Sequence, residues 1–574
     1  MRTDLLSWVR VGRLRLCLAM GVLLVASVAT GCEESPADIP ERVVFCPGDE
    51  DLAALVDPMI GTRGPGNVVP GALVPHGMVK LSPDTNAGQN SVDAYEHGND
   101  KIEGFSHTHL QGPGGSANGY SHILLIPTTG ELLTTEEGYA STFSHDEEEA
   151  SPGYYSVMLK DYGVLAELTA TGHAGYHRYT FPPSDNARVL IDLGHSRGES
   201  WDGAVQIEGD RIISGFGEYN VHPILRVVVT EDDKLTGQSV VYFYARFSKP
   251  FDSFGTFRNR STEPDIQEGV RTETGARIGA WAGYTTGEGD QIEVQVGISL
   301  VSVDQAKRNL EVEIGERTFD TVHAEARARW NCFLNRIHVE GGSDEEKTVF
   351  YTALFHSAFA PADYTEVDGY FFSGADGVGE TSQWPQRRFY TDDWCAWDTF
   401  RTSRPLATLI EPELIDDVVR SYLHLYRQGG WLPKCTWHAT GYSRVMIGNH
   451  AVPMIADAYV KGFRDYDLDD AWAAIYKSAV EETLEVSYPT LCGYLNLGTP
   501  PEYIENGFVS QDCDLTQSVS MTLEYAYNDW CIAQVAQGLG RDSDYQAFME
   551  RSGNWANHWN PDTGFLQPRD EDGA

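Results

Sequence analysis

Apolar and polar residues follow two different rhythms along this chain, and the change of rhythm divides it. Between about residues 153 and 303 the apolar positions alternate or form short unbroken runs, as at 154–159, 189–193, 224–229 and 292–296. Such runs read as half-buried or fully buried strands. Turn signals fall between them, at Glu208-Gly209-Asp210 and in the Gly-rich run 286–290. Upstream, residues 56–85 are dense in glycine and proline, which forbids a long helix and predicts short strands joined by tight turns. The expectation is an antiparallel β-sandwich over residues 51–302.

Beyond Ser343 the period becomes helical. Helices are predicted at 344–360, 395–410, 412–427 closed by Gly429, 450–461, 469–486, 515–539 closed by Gly540, and 543–559. Packed in antiparallel pairs with pocket-forming loops, they suggest a toroid over 344–574. A helical connector, 303–343, joins the halves, with Trp330 and Phe333 packing on one side. The fold class is thus multidomain, β then α, as 574 residues exceed what one core usually supports.

The first 31 residues lie outside this pattern. Arg2, Arg10, Arg13 and Arg15 precede an apolar run ending near Ala29, the layout of an export signal. The small residues before Cys32 are similar to a bacterial lipoprotein box, with Ala29 where leucine is usual. The other reading is ordinary cleavage after Ser27-Val28-Ala29. Lipidation of Cys32 is expected, with 32–50 as a tether, which places the protein at the bacterial cell envelope, anchored to a membrane by lipid. A formal charge of −42 excludes nucleic acid as a partner, since that needs clustered Lys and Arg. The remaining cysteines have no zinc-finger spacing, and their pairing is open; Cys492 and Cys513 form a near pair.

Candidate chemistry concentrates at 390–410. On a helix, Trp394, Trp397, Asp398 and Arg401 recur at three- and four-residue steps and share one face. Flat indoles beside charged groups suit a sugar ring and its paired hydroxyls; a buried Asp398–Arg401 ion pair among core tryptophans is the other reading. His107 and His109, two apart, project to one face of a strand and could hold a metal or a sugar, or form a buried hydrogen-bonded pair. The acidic residues near aromatic clusters are Asp392, Asp393, Asp398, Glu502, Glu505, Glu524 and Asp529. Glu524 shares its helix with Tyr525, Tyr527 and Trp530.

Trp397-Asp398-Thr399-Phe400-Arg401 resembles the signature of glycoside hydrolase family 92, the calcium-dependent inverting exo-α-mannosidases. Further blocks agree in order: Asp57-Pro58-Met59-Ile60-Gly61-Thr62, Gly104-Phe105-Ser106-His107-Thr108-His109-Leu110, Gly429-Gly430-Trp431-Leu432-Pro433, Gly448-Asn449-His450-Ala451, and 522–527 running into Asp529-Trp530-Cys531. The resemblance implies an (α/α)6 barrel, here incomplete, as the catalytic second domain. It implies mannose-containing glycans as substrate and Ca2+ as cofactor. It also implies Asp398 as a ligand of mannose hydroxyls with Trp397 beside it, and His107, His109 and His450 at the rim. Two features depart from the family. The Glu-Gly-Asn-X-Trp-Gln-Tyr block that carries the general acid and the later block that carries the general base do not occur, so the catalytic residues and metal ligands are unassigned and the sequence reads as truncated. The loop 86–100 has Tyr95 and no tryptophan, which leaves linkage preference open.

The expected activity of the full-length protein is hydrolysis of terminal α-linked mannose with inversion, this chain lacking the acid and base. The alternatives are a non-catalytic glycan-binding lipoprotein and a glycoside phosphorylase of similar architecture.

Overall fold

The alternating region folds into two antiparallel sheets, each of nine strands among the described residues. The computed structural model describes residues 46–85, 94–110, 120–220, 238–259, 264–374, 380–384, 387–393, 395–436, 446–481, 497–512 and 517–573. One sheet runs through Lys80–Thr85, Lys101–Ser106, Leu124–Thr128, Ser184–Asp192 and Ile278–Thr286. The other runs through Glu199–Glu208, Ile212–Asn220, Gln238–Phe247, Asp290–Ser299, Ala174–Phe181, Val164–Ala170 and Tyr154–Leu159. Leu81, Phe105, Leu125 and Leu190 from the first share a core with Leu168, Tyr179, Phe243 and Val294 from the second, which makes the pair a sandwich. The predicted strands at 154–159, 189–193 and 292–296 are present, whereas 224–229 lies outside the described residues.

The last strand of the sandwich ends at Ser299, and α1 (Val303–Glu313) starts behind Ser302, whose hydroxyl accepts from Gln305 N. Helix α1 lies so close to the sheet that a side chain at Gly297 would collide with the Ala306 carbonyl, so only glycine fits there. Helix α2 (Phe319–Leu334) buries Trp330 and Phe333, as its periodicity predicts. The Trp330 indole N–H donates to the Leu73 carbonyl, 2.7 Å away, and ties the connector to the start of the sandwich. A disulfide between Cys46 and Cys332 adds a covalent tie that spacing could not foretell.

Helix α3 (Asp344–Ser357) opens on a capping box: Ser343 Oγ accepts from Glu346 N at 3.2 Å and Glu346 accepts from Ser343 N at 2.7 Å. The predicted helix at 395–410 is two pieces, a single turn α4 (Ala396–Thr399) and α5 (Ser403–Ile410). Pro405 has no N–H to donate to residue 401, so the ladder cannot run through, and the chain turns at Thr402. Then follow α6 (Pro412–Gly429), α7 (Ala451–Val460), α8 (Leu468–Val480), the short α9 (Pro501–Asn506), α10 (Ser518–Gly538) and α11 (Asp542–Arg551). Their apolar faces meet in a second core that includes Val419, Leu423, Ile455, Ile475 and Ile532.

Residues 1–37 lie outside the described residues, and the described residues belong to one unit, 38–574. Within the latter the sandwich core continues into the helical half through Tyr364, Phe371, Phe389 and Leu425. Each such buried side chain stabilises the contact by roughly 1.5–3 kcal/mol, so the two halves hold one another in place. No helix among the described residues is long and apolar enough to cross a membrane.

Candidate functional site

The segment that carries Asp398 is fixed by two adjacent buried aspartates. Asp392 pairs with Arg404 and accepts from the Tyr422 hydroxyl at 2.6 Å. Asp393 accepts from Lys80 Nζ at 2.9 Å, from the Tyr364 hydroxyl at 2.6 Å and from Thr391 Oγ1 at 3.0 Å. Lys80 belongs to the sandwich, so this ion pair pins the segment across the seam between the halves. Asp393 takes a left-handed backbone, φ +57°, a conformation that aspartate tolerates better than most residues. Both carboxylates are consumed by structure, and neither is free for chemistry.

Beyond them, Cys395 bonds to Cys435 and Ala396 N donates to the Lys434 carbonyl at 3.1 Å. That stitches the turn α4 to the loop after α6. Trp397 and Asp398 stand on this turn. Asp398 Oδ2 is shut off from solvent without a hydrogen-bond partner, and so is the Trp397 indole nitrogen. A buried carboxylate oxygen normally finds a partner, and one left bare in a pinned turn is a place for a ligand hydroxyl. Burial, and then the charge of Asp392, push the Asp398 carboxyl up to about 6, with Arg401 opposing.

The two readings of Asp398 separate here. Arg401 does not pair with it. The guanidinium lies 4.3 Å from the centre of the Trp397 ring and 4.7 Å from that of Phe400, and reaches Glu524 Oε1 at 3.1 Å. Glu524 Oε2 in turn faces His450 Nε2 at 3.2 Å, and the His450 ring stacks on Phe400 with centroids 4.3 Å apart. Burial raises the Glu524 carboxyl, but His450 and then Arg401 outweigh it and hold it below its ordinary value. Burial pushes the His450 imidazole down, and its Nδ1 has no protein partner.

A pocket of about 750 Å3 opens over this cluster, lined by Phe400, Arg401, Glu524, Tyr527, Trp530 and Trp555. Tyr527, Trp530 and Trp555 are 41%, 45% and 48% exposed, which is unusual for rings of this size. Glu524, Tyr527 and Trp530 recur every three residues on α10, a spacing already visible in the sequence. Asp398 is not among the lining residues; it stands one turn before Arg401 on the same segment.

The structure therefore brings Trp397, Asp398 and His450 into one region with Arg401 and Glu524, and puts the two other histidines elsewhere. His107 and His109 follow the strand Lys101–Ser106 and are wholly buried in the sandwich. The Tyr179 hydroxyl donates to His177 Nδ1 (2.8 Å), His177 Nε2 to His107 Nε2 (3.2 Å), and His107 Nδ1 to the Ile123 carbonyl (2.8 Å). Burial holds His107 at about 4, neutral at physiological pH. His109 Nδ1 donates to the Lys80 carbonyl at 2.6 Å, and its Nε2 lies 3.1 Å from Asp84 Oδ1. Both rings spend their nitrogens on protein atoms and neither lines the pocket, so they answer to the buried hydrogen-bonded reading and not to that of a sugar rim. Among the other acidic candidates, Asp529 is taken by Arg551 and Tyr503, and Glu502 accepts from Ser510 N. Trp394, Cys32, Cys492 and Cys513 lie outside the described residues.

Calcium, which the resemblance implies, takes six to eight oxygens. Among the described carboxylates and amides of the helical half, the buried oxygens without partners are Asp398 Oδ2 and Asn449 Oδ1. They do not make an oxygen cage.

The elevated carboxyl of Asp398 has a consequence for folding. Its folded value lies above the ordinary 3.8, so its stabilising contribution is full below about 3.8 and is lost as pH rises through about 6. Relative to Asp398→Asn, the wild-type chain should lose about 1–2 kcal/mol across that window, after discounting for solvent screening. Urea unfolding of both chains from pH 4 to 7 measures this. A constant difference would show that Asp398 does not titrate there.

A two-sheet sandwich followed by packed helices, with an aromatic and charged pocket on the helical side, is the architecture of a group of carbohydrate-active enzymes. The chain is 32% identical to an α-mannosidase of family GH92 from Bacteroides thetaiotaomicron, solved in complex with mannoimidazole, with a TM-score of 0.80 over 92% of this chain and 66% of that one. It is 26% identical to a GH92 inverting mannosidase of the same organism, TM-score 0.79, over 93% of this chain and 68% of that one. It is also 27% identical, over 91% of its length and 64% of the relative's, to an uncharacterized secreted glycosidase of Arthroderma benhamiae. The N-terminal domain of glycosyl hydrolase family 92 matches residues 55–299 and its catalytic domain matches residues 305–574. The chain belongs to glycosyl hydrolase family 92. It spans about two thirds of the length of these relatives.

Proposed function

We propose that the whole protein is an exo-acting α-mannosidase that releases terminal α-linked mannose with inversion, and that this chain supplies the wall that holds the sugar. The observation that carries this reading is the bare, buried Asp398 Oδ2 beside Trp397, on the segment whose next residues, Phe400 and Arg401, line a pocket of exposed rings that can stack on a sugar face. Asp398 accepts from hydroxyls of the terminal mannose, and His450 Nδ1 offers a further polar contact. The Arg401–Glu524 pair fixes the floor between them. In this reading the helical half is part of an (α/α)6 barrel, and calcium is a cofactor of the whole protein.

One observation favours a second reading. Asp398 is pushed up and Glu524 is held down, and divergence of that kind separates acids from bases in hydrolytic sites. Under it these two carboxylates would do the chemistry themselves.

The test of the first reading is an assay of the product of the complete gene on α-1,2-, α-1,3- and α-1,6-linked mannobioses. Release of β-mannose, abolished by a chelator and indifferent to phosphate, is expected. Mannose 1-phosphate formed only with phosphate present would identify a phosphorylase instead, and tight glycan binding without product would identify a binding protein.

We further propose export and lipid anchoring at Cys32. Mass spectrometry of the membrane fraction should find an acylated N-terminal Cys32; an unacylated start at Thr30 would exclude it.

A further inference from the structure

The sandwich carries a second cluster that the mannoside site does not use. His97 precedes the Gly104–Leu110 block, His145 opens the turn His145–Glu147, and Glu148 begins the strand Glu148–Ser151. One donor atom from each of the three lies within 4.8 Å of the other two. His145 Nε2 is 2.8 Å from the His97 carbonyl, so this nitrogen must carry a proton and donate it. In a neutral ring Nδ1 is then bare, and it faces Glu148 Oε2 at 2.5 Å. A proton shared between the two atoms accounts for that distance, and a metal ion bound by both would displace the proton and spread them, since each metal–ligand bond is about 2.0–2.2 Å.

Several features distinguish the cluster from a chance ion pair. The Glu148 carboxylate is buried and accepts from the Tyr95 hydroxyl (2.9 Å to Oε1) and the Tyr155 hydroxyl (2.6 Å), which orient it. His145 is oriented by a backbone carbonyl on its far nitrogen, the usual outer partner of a metal-bound imidazole. His97 Nδ1 is closed off from solvent and has no hydrogen-bond partner. The two rings stack with centroids 3.8 Å apart and planes 14° apart. Imidazole lone pairs lie in the ring plane, so His97 has to turn about its side-chain bonds to share an ion with His145.

We propose that His97, His145 and Glu148 bind one divalent transition-metal ion of the zinc type. Two imidazoles and one carboxylate are a zinc donor set with a fourth position left for water, whereas calcium would take oxygens throughout. The ion cross-links residues 94–100 to the edge of the sandwich and steadies the approach to the Gly104–Leu110 block.

The test uses the purified chain, stripped with a chelator and titrated with zinc chloride by calorimetry. One zinc per chain is expected, lost in His97→Gln and in His145→Gln. Tyr95→Phe and Tyr155→Phe, which keep all three ligands, should weaken binding by about 10–100-fold. X-ray absorption of the loaded chain should show nitrogen and oxygen around the metal and no sulfur. A sulfur shell would assign the metal to cysteines. Undiminished binding in the histidine variants, or no stoichiometric binding by the wild type, would equally overturn the proposal. Should a histidine variant fail to fold, the tyrosine variants and the absorption spectrum still decide.

Discussion

Free mannose should not appear when the 574-residue chain is incubated with α-linked mannobioses, with calcium present or absent. Inversion needs one carboxylic acid to protonate the leaving oxygen and one carboxylate to activate water, roughly 6.5–9.5 Å apart. Of the acidic side chains that surround the described site, Asp392 is held by Arg404 and Tyr422, Asp393 by Lys80 and Tyr364, Asp529 by Arg551, and Glu524 by Arg401. Asp398 alone among these keeps a buried oxygen without a partner. One carboxylate cannot be both acid and base, and the loss of either removes a factor of about 10²–10⁴. Turnover that falls by that factor in both Asp398→Asn and Glu524→Gln would establish the second reading, in which these two residues are the catalytic pair.

The largest effect on stability is expected at Arg404. It is 3% exposed and neutralises the fully buried Asp392, so Arg404→Met leaves a carboxylate with the Tyr422 hydroxyl as its main remaining support. Removing one partner of a buried pair typically costs about 3–5 kcal/mol, because the other is left uncompensated. Arg404→Met paired with Asp392→Asn should recover part of that loss, since the stranded charge is gone. Equilibrium urea unfolding of both variants measures it. A single-variant loss below about 1 kcal/mol would mean that Asp392 has other support, and that the pair does not hold the segment that carries Asp398 in place.

The sandwich and most helices are legible in the sequence because each depends on a local period. The strand Tyr154–Leu159 and the capped start of α3 at Asp344 are cases in point. What the period could not show was the break between α4 and α5, which comes from Pro405 inside an otherwise helical pattern. The site is partly legible for a different reason. Trp397, Asp398 and Arg401 are near in sequence and remain near in space, but the partner of Arg401 is Glu524, which no local pattern indicates. His107 and His109 illustrate the limit of face arguments. They lie just past the end of a strand, where alternation no longer governs direction, and their partners His177 and Asp84 come from elsewhere in the sandwich. The disulfide Cys395–Cys435 and the Lys80–Asp393 pair are likewise contacts between distant segments, invisible until the chain is folded.

Titration of the chain with methyl α-mannoside by ligand-observed NMR tests the proposed role of Asp398 as acceptor for the hydroxyls of a terminal mannose. Losing a charged acceptor for a bound hydroxyl costs on the order of 1.5–3 kcal/mol, so Asp398→Asn should weaken binding at least about tenfold. Wild-type affinity should rise as pH passes upward through about 6, where the carboxyl ionises, and the variant should show no such rise. The variant should also unfold at no lower urea concentration than the wild type at pH 7, because it removes a buried charge that has no partner. Equal affinities in the two chains, or a variant that unfolds while its folded fraction still binds normally, would contradict the account and leave Asp398 a structural residue.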